Sequence, residues 1–234
     1  MSEEPIIAIV PAAGVGERAR TAQDDDRPKQ YKLLRGQAML RHAVCALLAE
    51  ARVTQVRVAV SAADAWVDEA LQGLPRTIIR RCGGATRAHT VENAVRDANL
   101  AANAWVLVHD AARPGLPASN LAALIDACRN QGEAGLLALP VADTVKRGRL
   151  DDGTTTRVAG TLDRSGLWLA QTPQMIRSGV LLDALAQARA AGMSVTDESQ
   201  AMEVASQALL LVRGSIRNFK VTWPEDFDLM EKWL

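Results

Sequence analysis

The sequence has no excess of charge and no long apolar run, and each absence argues against a class of protein. Its 27 basic residues balance its 27 acidic ones, so no overall field favours a nucleic acid or an anionic membrane. The apolar run at residues 6–10 is too short to span a bilayer, and residues 1–5 carry acid where a secretory signal carries basic residues. We therefore expect neither a nucleic acid nor a membrane as a partner, and any phosphate site must come from a local cluster of cations.

Cysteine and histidine are scarce and scattered, with no CxxC spacing among Cys45, Cys82, Cys128, His42, His89 and His109. This pattern argues against a disulfide framework or a structural zinc site and favours a reducing compartment. We expect a cytoplasmic protein. His109 is expected to pack or form hydrogen bonds, because no nucleophile or metal cluster accompanies it.

The apolar pattern alternates between short strands and amphipathic helices. The predicted strands are 6–10, 55–60, 77–81, 105–109, 134–140 and 208–212, and the predicted helices are 39–51, 63–72, 87–98, 121–130, 180–191, 198–205 and one that begins near 224. Such alternation is typical of parallel βαβ units. We predict an α/β fold with a doubly wound, mostly parallel, Rossmann-like sheet, and one domain over residues 1–234.

The alternation breaks between residues 141 and 160, where the chain is polar. Asp152-Gly153 is a turn signal flanked by residues that suit a strand. We predict a β-hairpin arm at about 141–160 that protrudes from the domain.

Ligands of open α/β sheets bind beyond the carboxyl ends of the strands. The loop after the first predicted strand contains small residues, which let backbone N–H groups approach phosphate oxygens closely. Two cations nearby, Arg18 and Lys29, are placed to surround a triphosphate. The small residues of this loop are Pro11, Ala12, Ala13, Gly14 and Gly16.

The same loop satisfies the spacing of the dinucleotide-binding fingerprint through Gly14, Gly16 and Ala19. However, Val60 leads into Ser61 at the end of the second main strand, so the acid that binds the ribose is missing. This disfavours a dinucleotide-dependent oxidoreductase. A glycine turn that merely joins a strand to a helix stays an alternative.

Two further strand ends carry polar groups. The Gly83-Gly84 turn is suited to hold a base against the backbone, with the Thr90 hydroxyl reading the polar edge of the base. Asp110 suits a metal ion or a ligand hydroxyl, and Arg113 suits a phosphate. The alternatives are a plain tight turn at the glycines and an Asp–Arg pair that holds a loop in place.

Taken together, ordered motifs from about residue 6 to residue 229 resemble the 2-C-methyl-D-erythritol 4-phosphate cytidylyltransferase family of the non-mevalonate isoprenoid pathway. Beyond the loops above, the resemblance includes Pro28-Lys29-Gln30-Tyr31, Arg87, Val108-His109-Asp110-Ala111-Ala112-Arg113-Pro114, Asp143-Thr144, Lys146, Asp163-Arg164, Gly166-Leu167-Trp168, Gln171-Thr172-Pro173-Gln174, Thr196-Asp197-Glu198, Asn218, Lys220, Thr222 and Pro224-Glu225-Asp226.

The resemblance implies transfer of CMP from CTP to 2-C-methyl-D-erythritol 4-phosphate with release of pyrophosphate, with Mg²⁺ as cofactor and Asp110 as its candidate ligand. It implies catalytic roles for Arg18, Lys29, Arg164 and Lys220. The implied nucleotide-binding residues are Pro11, Ala12, Ala13, Gly14, Gly16, Gly84, Ala85, Thr90, Asp110 and Ala111. The implied residues for the polyol phosphate are Asp110, Arg113, Thr144, Arg164, Thr172 and Lys220. The arm implies a homodimer, because in this family it reaches the neighbouring subunit's site.

The sequence departs from the family pattern in three places. Thr90 stands where the family usually has serine, which keeps the hydroxyl, and Ala85 occupies a position that is often acidic. Residues 20–27 look longer and more acidic than usual, so we expect them to form a lid whose carboxylates face solvent.

No Ser-His-Asp or Cys-His arrangement is visible, which agrees with direct attack of the substrate phosphate on the α-phosphorus of CTP. Catalysis then consists of positioning and charge neutralisation. A ribitol 5-phosphate cytidylyltransferase would share the CTP half and stays an alternative. An inactive nucleotide-binding homologue is disfavoured, because Arg18, Lys29, Asp110 and Lys220 are all retained.

Overall fold

The computed structural model describes residues 4–14, 27–151 and 153–234. The strands are β1 Ile6–Pro11, β2 Leu33–Leu34, β3 Gln37–Ala38, β4 Val53–Ala59, β5 Thr77–Arg80, β6 Trp105–Val108, β7 Gly135–Pro140, β8 Val145–Asp151, β9 Thr155–Leu162, β10 Trp168–Arg177 and β11 Leu210–Arg213. The helices are α1 Met39–Leu48, α2 Val67–Leu71, α3 Arg87–Ala98, α4 Ala118–Gln131, α5 Ser178–Ala190, α6 Glu198–Val204 and α7 Glu225–Trp233. Within those ranges, every helix is too short or too polar to cross a bilayer.

A seven-stranded sheet in the order β11-β7-β10-β6-β1-β4-β5 forms the centre of the molecule. All its pairs are parallel except those of β10, so the predicted doubly wound, mostly parallel sheet is confirmed. Alternate residues of β1 enter two separate cores: Ile6 packs on the side of α1 and α4, and Ile7 packs on the side of α3 and α5. Helices on both faces explain why this strand is a continuous apolar run.

Strand β10 is the strand of the central sheet that the sequence pattern did not predict. It lies antiparallel between β6 and β7 and contains the polar motif at residues 171–174. Its pairing with β7 is interrupted between Ala170 and Gln174, so the residues between them are released from the ladder. A proline is tolerated at such an irregularity, since its missing N–H costs no strand hydrogen bond there.

The ends of several helices differ from the prediction for local reasons. The predicted helix 63–72 begins only at Val67, because one carboxylate oxygen of Asp64 accepts the backbone N–H groups of Trp66 and Val67, each at 3.0 Å.

The short β2–β3 hairpin was not predicted. Its turn residues Arg35 and Gly36 both have positive φ, at 46° and 76°.

The predicted arm is a separate hairpin formed by β8 and β9, over residues 145–162 rather than 141–160. Leu150 and Val158 on it are 61% and 68% exposed. Gly153 in its turn has φ of 78°, which favours glycine, while Asp152 lies outside the described residues.

Candidate active site

The loops that follow β1, β5 and β6 meet the segment around Lys220 at a cavity of about 260 Å³. Nine of the ten residues predicted to bind the nucleotide line this cavity: Pro11, Ala12, Ala13, Gly14, Gly84, Ala85, Thr90, Asp110 and Ala111. The tenth, Gly16, lies outside the described residues, as does Arg18. The described residues that were predicted to bind the nucleotide therefore form one connected surface. That this surface binds a nucleotide stays a prediction.

The loop after β1 is held by Gln30, a residue for which the sequence suggested no role. The buried Gln30 side chain donates from Nε2 to the carbonyl oxygens of Ala12 and Gly14, both at 2.9 Å. Lys29 also lines the cavity, and its Nζ donates to the Val221 carbonyl at 2.6 Å. Gln30 thus fixes the loop, and the preceding residue Lys29 connects this region to the segment that contains Lys220.

The Gly83-Gly84 turn lies too close to its neighbours for any side chain. A Cβ on Gly83 would lie 2.5 Å from the Ala13 Cβ, and one on Gly84 would lie 2.5 Å from the His89 Cβ. The Thr90 hydroxyl accepts the Gly84 N–H and donates to the Thr86 carbonyl, both at 3.0 Å. Thr90 therefore shapes the turn through the backbone.

A second cavity of about 140 Å³ adjoins the first. Arg113 and Thr172, both predicted to bind the polyol phosphate, line it. The two cavities have three lining residues in common, and all three are charged: Arg87, Asp110 and Lys220. A ligand in one cavity would therefore meet a ligand in the other at this charged boundary.

Thr144 and Arg164 lie apart from both cavities in the described chain. Thr144 directly precedes β8, Arg164 follows β9 by two residues, and both are exposed. The described chain therefore does not bring these two predicted residues to the site.

Asp110 is the centre of the charged boundary. Its Oδ1 accepts the Nε–H of Arg87 at 2.9 Å, and its Oδ2 lies 2.9 Å from Lys220 Nζ and 3.7 Å from Arg113 Nε. Burial acts to raise the pKa of Asp110, but the charges of Arg87, Lys220 and Arg113 hold it far below its ordinary value. The carboxylate is therefore ionised at neutral pH.

Arg113 holds two segments together as well as facing Asp110. Its guanidinium donates to the carbonyl of Asn218 at 2.8 Å and to that of Ala170 at 3.2 Å. The residue thus connects β10 to the segment that precedes Lys220.

The fit of a metal ion can be judged from the acidic groups. Among residues 4–14, 27–151 and 153–234, no three histidine, cysteine or acidic side chains gather as a metal site. Asp110 is the one carboxylate among the described residues that line the larger cavity, and it already faces three cations. Mg²⁺ is commonly held by one or two carboxylates together with substrate phosphates. The residues therefore fit an ion that takes most of its ligands from a triphosphate.

Buried His109 is connected to the backbone of Asp110 through the Thr172 hydroxyl. Its Nε2 lies 3.0 Å from the Arg113 carbonyl, which only accepts, so Nε2 carries the proton. Its Nδ1 then accepts from the Thr172 hydroxyl at 3.0 Å, and Thr172 Oγ1 accepts the backbone N–H of Asp110 at 2.9 Å. Burial lowers the pKa of His109 from 6.5 to about 4, so the ring is neutral.

This neutral histidine gives a testable pH dependence. Because the pKa of His109 is lower in the folded state, its contribution to stability is complete above pH 6.5 and is lost as the pH falls toward 4. The loss amounts to about 3 kcal/mol. We expect His109→Gln to flatten the pH dependence of the unfolding free energy in this window, measured by urea denaturation. If the unfolding free energies of wild type and His109→Gln changed equally with pH in this window, a neutral His109 would be contradicted.

Comparison with known proteins gives one consistent family. The sequence profile described as 2-C-methyl-D-erythritol 4-phosphate cytidylyltransferase matches residues 6–234. A protein of that name from Bordetella pertussis is 64% identical over 231 residues, 99% of each chain. A crystal structure of 4-diphosphocytidyl-2C-methyl-D-erythritol synthase is 36% identical, with a TM-score of 0.83 and 99% of each chain covered. The Francisella tularensis enzyme is 29% identical, with a TM-score of 0.81 and 98% of this chain and 100% of its own covered. The chain therefore belongs to the 2-C-methyl-D-erythritol 4-phosphate cytidylyltransferase family.

Proposed function

We propose that this enzyme transfers CMP from CTP to 2-C-methyl-D-erythritol 4-phosphate and releases pyrophosphate. The observation that carries the proposal is the pair of adjoining cavities whose common residues are Arg87, Asp110 and Lys220. CTP occupies the larger cavity, beside Lys29 and the Gly84 turn. The polyol phosphate occupies the smaller cavity, so that its phosphate faces the α-phosphorus across the shared boundary.

The reaction is a direct displacement. An oxygen of the substrate phosphate forms a bond to the α-phosphorus, the bond from that phosphorus to the bridging oxygen breaks, and pyrophosphate leaves. Lys29 and Arg18 stabilise the charge that develops on the triphosphate, while Lys220 and Arg164 hold the attacking phosphate in line. Asp110 is the candidate protein ligand that would hold Mg²⁺ together with the triphosphate, and the ion would supply further charge neutralisation there.

Two assays test this function directly. We expect CTP and 2-C-methyl-D-erythritol 4-phosphate with Mg²⁺ to give pyrophosphate, and ribitol 5-phosphate to give none above background. Turnover with ribitol 5-phosphate alone would assign the sister activity. Failure with both polyol phosphates would leave the inactive nucleotide-binding homologue.

We further propose a homodimer in which each arm completes the partner's site. The exposed Leu150 and Val158 would bury their apolar surface in such a contact. Thr144 and Arg164 lie at the base of the arm, where docking would bring them to the partner's smaller cavity.

The cytoplasmic location stays a proposal that rests on the sequence.

We expect Arg164→Ala to lower kcat/KM for the polyol phosphate more than about tenfold, because a cation on the attacking phosphate is lost. The KM for CTP should change little. Exposed Arg213, outside both cavities and the arm, provides the control variant Arg213→Ala. A defect confined to CTP affinity would contradict the placement of Arg164.

Mixed dimers test whether Arg164 acts in the partner subunit. In a dimer of one Arg164→Ala and one Lys29→Ala subunit, the body with an intact Lys29 receives an arm with an intact Arg164. One complete site is then restored, and mixing two weak variants should recover activity. No recovery on mixing, with dimers verified by ultracentrifugation, would contradict exchange of the arms.

A further inference from the structure

A buried ion pair lies directly behind the charged boundary. The guanidinium of Arg87 donates to both carboxylate oxygens of Glu198, from NH1 at 2.7 Å and from NH2 at 3.1 Å. The Glu198 side chain is 1% exposed. The remaining donor of Arg87, Nε, reaches Asp110 at 2.9 Å. One arginine therefore connects a fully buried carboxylate to the carboxylate that faces both cavities.

Glu198 is itself held rigidly. It is the first residue of α6, and its neighbours on both sides are bound to Gln174 of β10. Asp197 accepts from the Gln174 amide at 3.0 Å, and the Ser199 N–H donates to the Gln174 side-chain oxygen at 2.7 Å. Asp197 also accepts the Gln200 N–H at 3.0 Å. These hydrogen bonds thus hold the Glu198 backbone in a fixed position against the central sheet.

Lys220 is the most exposed and flexible charged group of the boundary, so its position depends on what holds it. Its side chain is 40% exposed, and a lysine ammonium is a point charge on a flexible stem. Its Nζ lies 2.9 Å from Asp110 Oδ2, while Arg87 binds the other oxygen of the same carboxylate. The orientation of Asp110 therefore decides where the ammonium lies.

We propose that Arg87 and Glu198 are positioning residues for the transfer reaction. Glu198 fixes the plane of the Arg87 guanidinium, Arg87 orients Asp110, and Asp110 sets the Lys220 ammonium at the place where the attacking phosphate binds. The proposal rests on the proposed function, because it assigns that phosphate to the smaller cavity.

The charges of this cluster support the assignment. Arg87, Arg113 and Lys220 carry three positive charges against the two negative charges of Asp110 and Glu198. A neutral residue at 198 would remove one negative charge from beside Arg87, and the repulsion among Arg87, Arg113 and Lys220 would loosen Arg87 and Lys220. Burying charges is unfavourable unless they are paired with good geometry, so the fork of Arg87 onto Glu198 is needed to keep the cluster ordered.

The test is Glu198→Gln, which keeps the size of the side chain. Its NH₂ group would face the guanidinium, donor against donor, so the fork is lost. We expect KM for the polyol phosphate to rise about tenfold, as when a partner that orients a ligand is removed. KM for CTP should rise less than KM for the polyol phosphate, because the larger cavity is also lined by Lys29 and the Gly84 turn, which Glu198 does not contact. A lower fraction of folded enzyme reduces the apparent kcat but leaves both KM values unchanged, so this split distinguishes positioning from stability.

A matched control is Glu92→Gln. Glu92 is also a buried glutamate between two arginines, Arg96 and Arg189, but it lines neither cavity of the site. We expect this variant to lose stability without any rise in KM. An equal rise in KM in both variants, or an unchanged KM for the polyol phosphate in folded Glu198→Gln, overturns the proposal.

Two further variants keep the result decisive. Glu198→Asp keeps the charge and should restore part of the affinity for the polyol phosphate. Arg87→Lys keeps the charge but cannot bridge both carboxylates, so it should reproduce the rise in KM even if Glu198→Gln fails to fold. A wild-type KM in folded Arg87→Lys also overturns the proposal. Wild-type enzyme that fails to turn over CTP with the polyol phosphate would contradict the proposed function instead.

Discussion

We expect Lys29→Ala to lower kcat by roughly 10²–10³, as does removal of other groups that stabilise charge in a transition state. Lys29 lines the larger cavity, and its ammonium lies at the segment next to Lys220. Charge grows on the pyrophosphate oxygens as the bond to the α-phosphorus breaks, and a fixed cation there is most valuable in the transition state. Steady-state release of pyrophosphate at saturating CTP and polyol phosphate measures the effect.

Lys32→Ala is the matched control, since Lys32 lies three residues away with its ammonium over the Phe227 ring at 5.4 Å. It should keep near-normal kcat. Lys29→Ala also removes the hydrogen bond to the Val221 carbonyl, so urea denaturation of both variants separates loss of structure from loss of catalysis. Near-normal turnover of a folded Lys29→Ala enzyme would refute the assignment.

Asp110→Asn should destabilise the protein by about 3–5 kcal/mol, the usual effect of removing one partner from a buried ion pair. Asp110 is the common partner of Arg87, Lys220 and Arg113. Asparagine keeps the shape but removes the carboxylate that Lys220 and Arg113 face, and it leaves Arg87 with Glu198 alone. Urea denaturation at pH 7 measures the effect, with a change below about 1 kcal/mol as the contradicting result.

The same substitution predicts a pH signature. The pKa of Asp110 is lower in the folded protein, so its stabilising effect is complete above the unfolded pKa of about 4 and is lost as the pH falls below that value. The difference between wild type and Asp110→Asn should therefore shrink in acid. Asp126→Asn is the control: Asp126 pairs with Arg52 but is 58% exposed, so its loss should cost less than about 1 kcal/mol.

Much of the fold could be predicted because its signals are local. The helix at Arg87–Ala98 was predicted to the residue, since Thr86 caps it through its own side chain and its apolar positions follow the helical period. The place of β10 between β6 and β7 has no local signal. Antiparallel insertion joins residues 168–177 to strands that end about 30 and 60 residues earlier, and neither composition nor periodicity records such a pairing.

The candidate site divides in the same way. Lys29 and Asp110 were singled out because charged residues near the strand ends of an α/β sheet indicate ligand binding, whereas Lys220 was singled out by the resemblance to the family. Gln30 and Glu198 were missed as individual contributors. Glu198 looked like an ordinary acidic residue at a helix start, and its role depends on Arg87, 111 positions away in sequence. A buried partner at that distance becomes visible only in three dimensions.

The position of β10 also has a consequence for how the chain is made. In the folded sheet, β10 separates β6 from β7, so neither strand can gain this native neighbour before residues 168–177 have been synthesised. Until then, the nascent sheet presents two open edges that invite wrong pairing. Synthesis of nearly three quarters of the chain must precede closure of the sheet, so a chaperone that shields those edges would act during that interval.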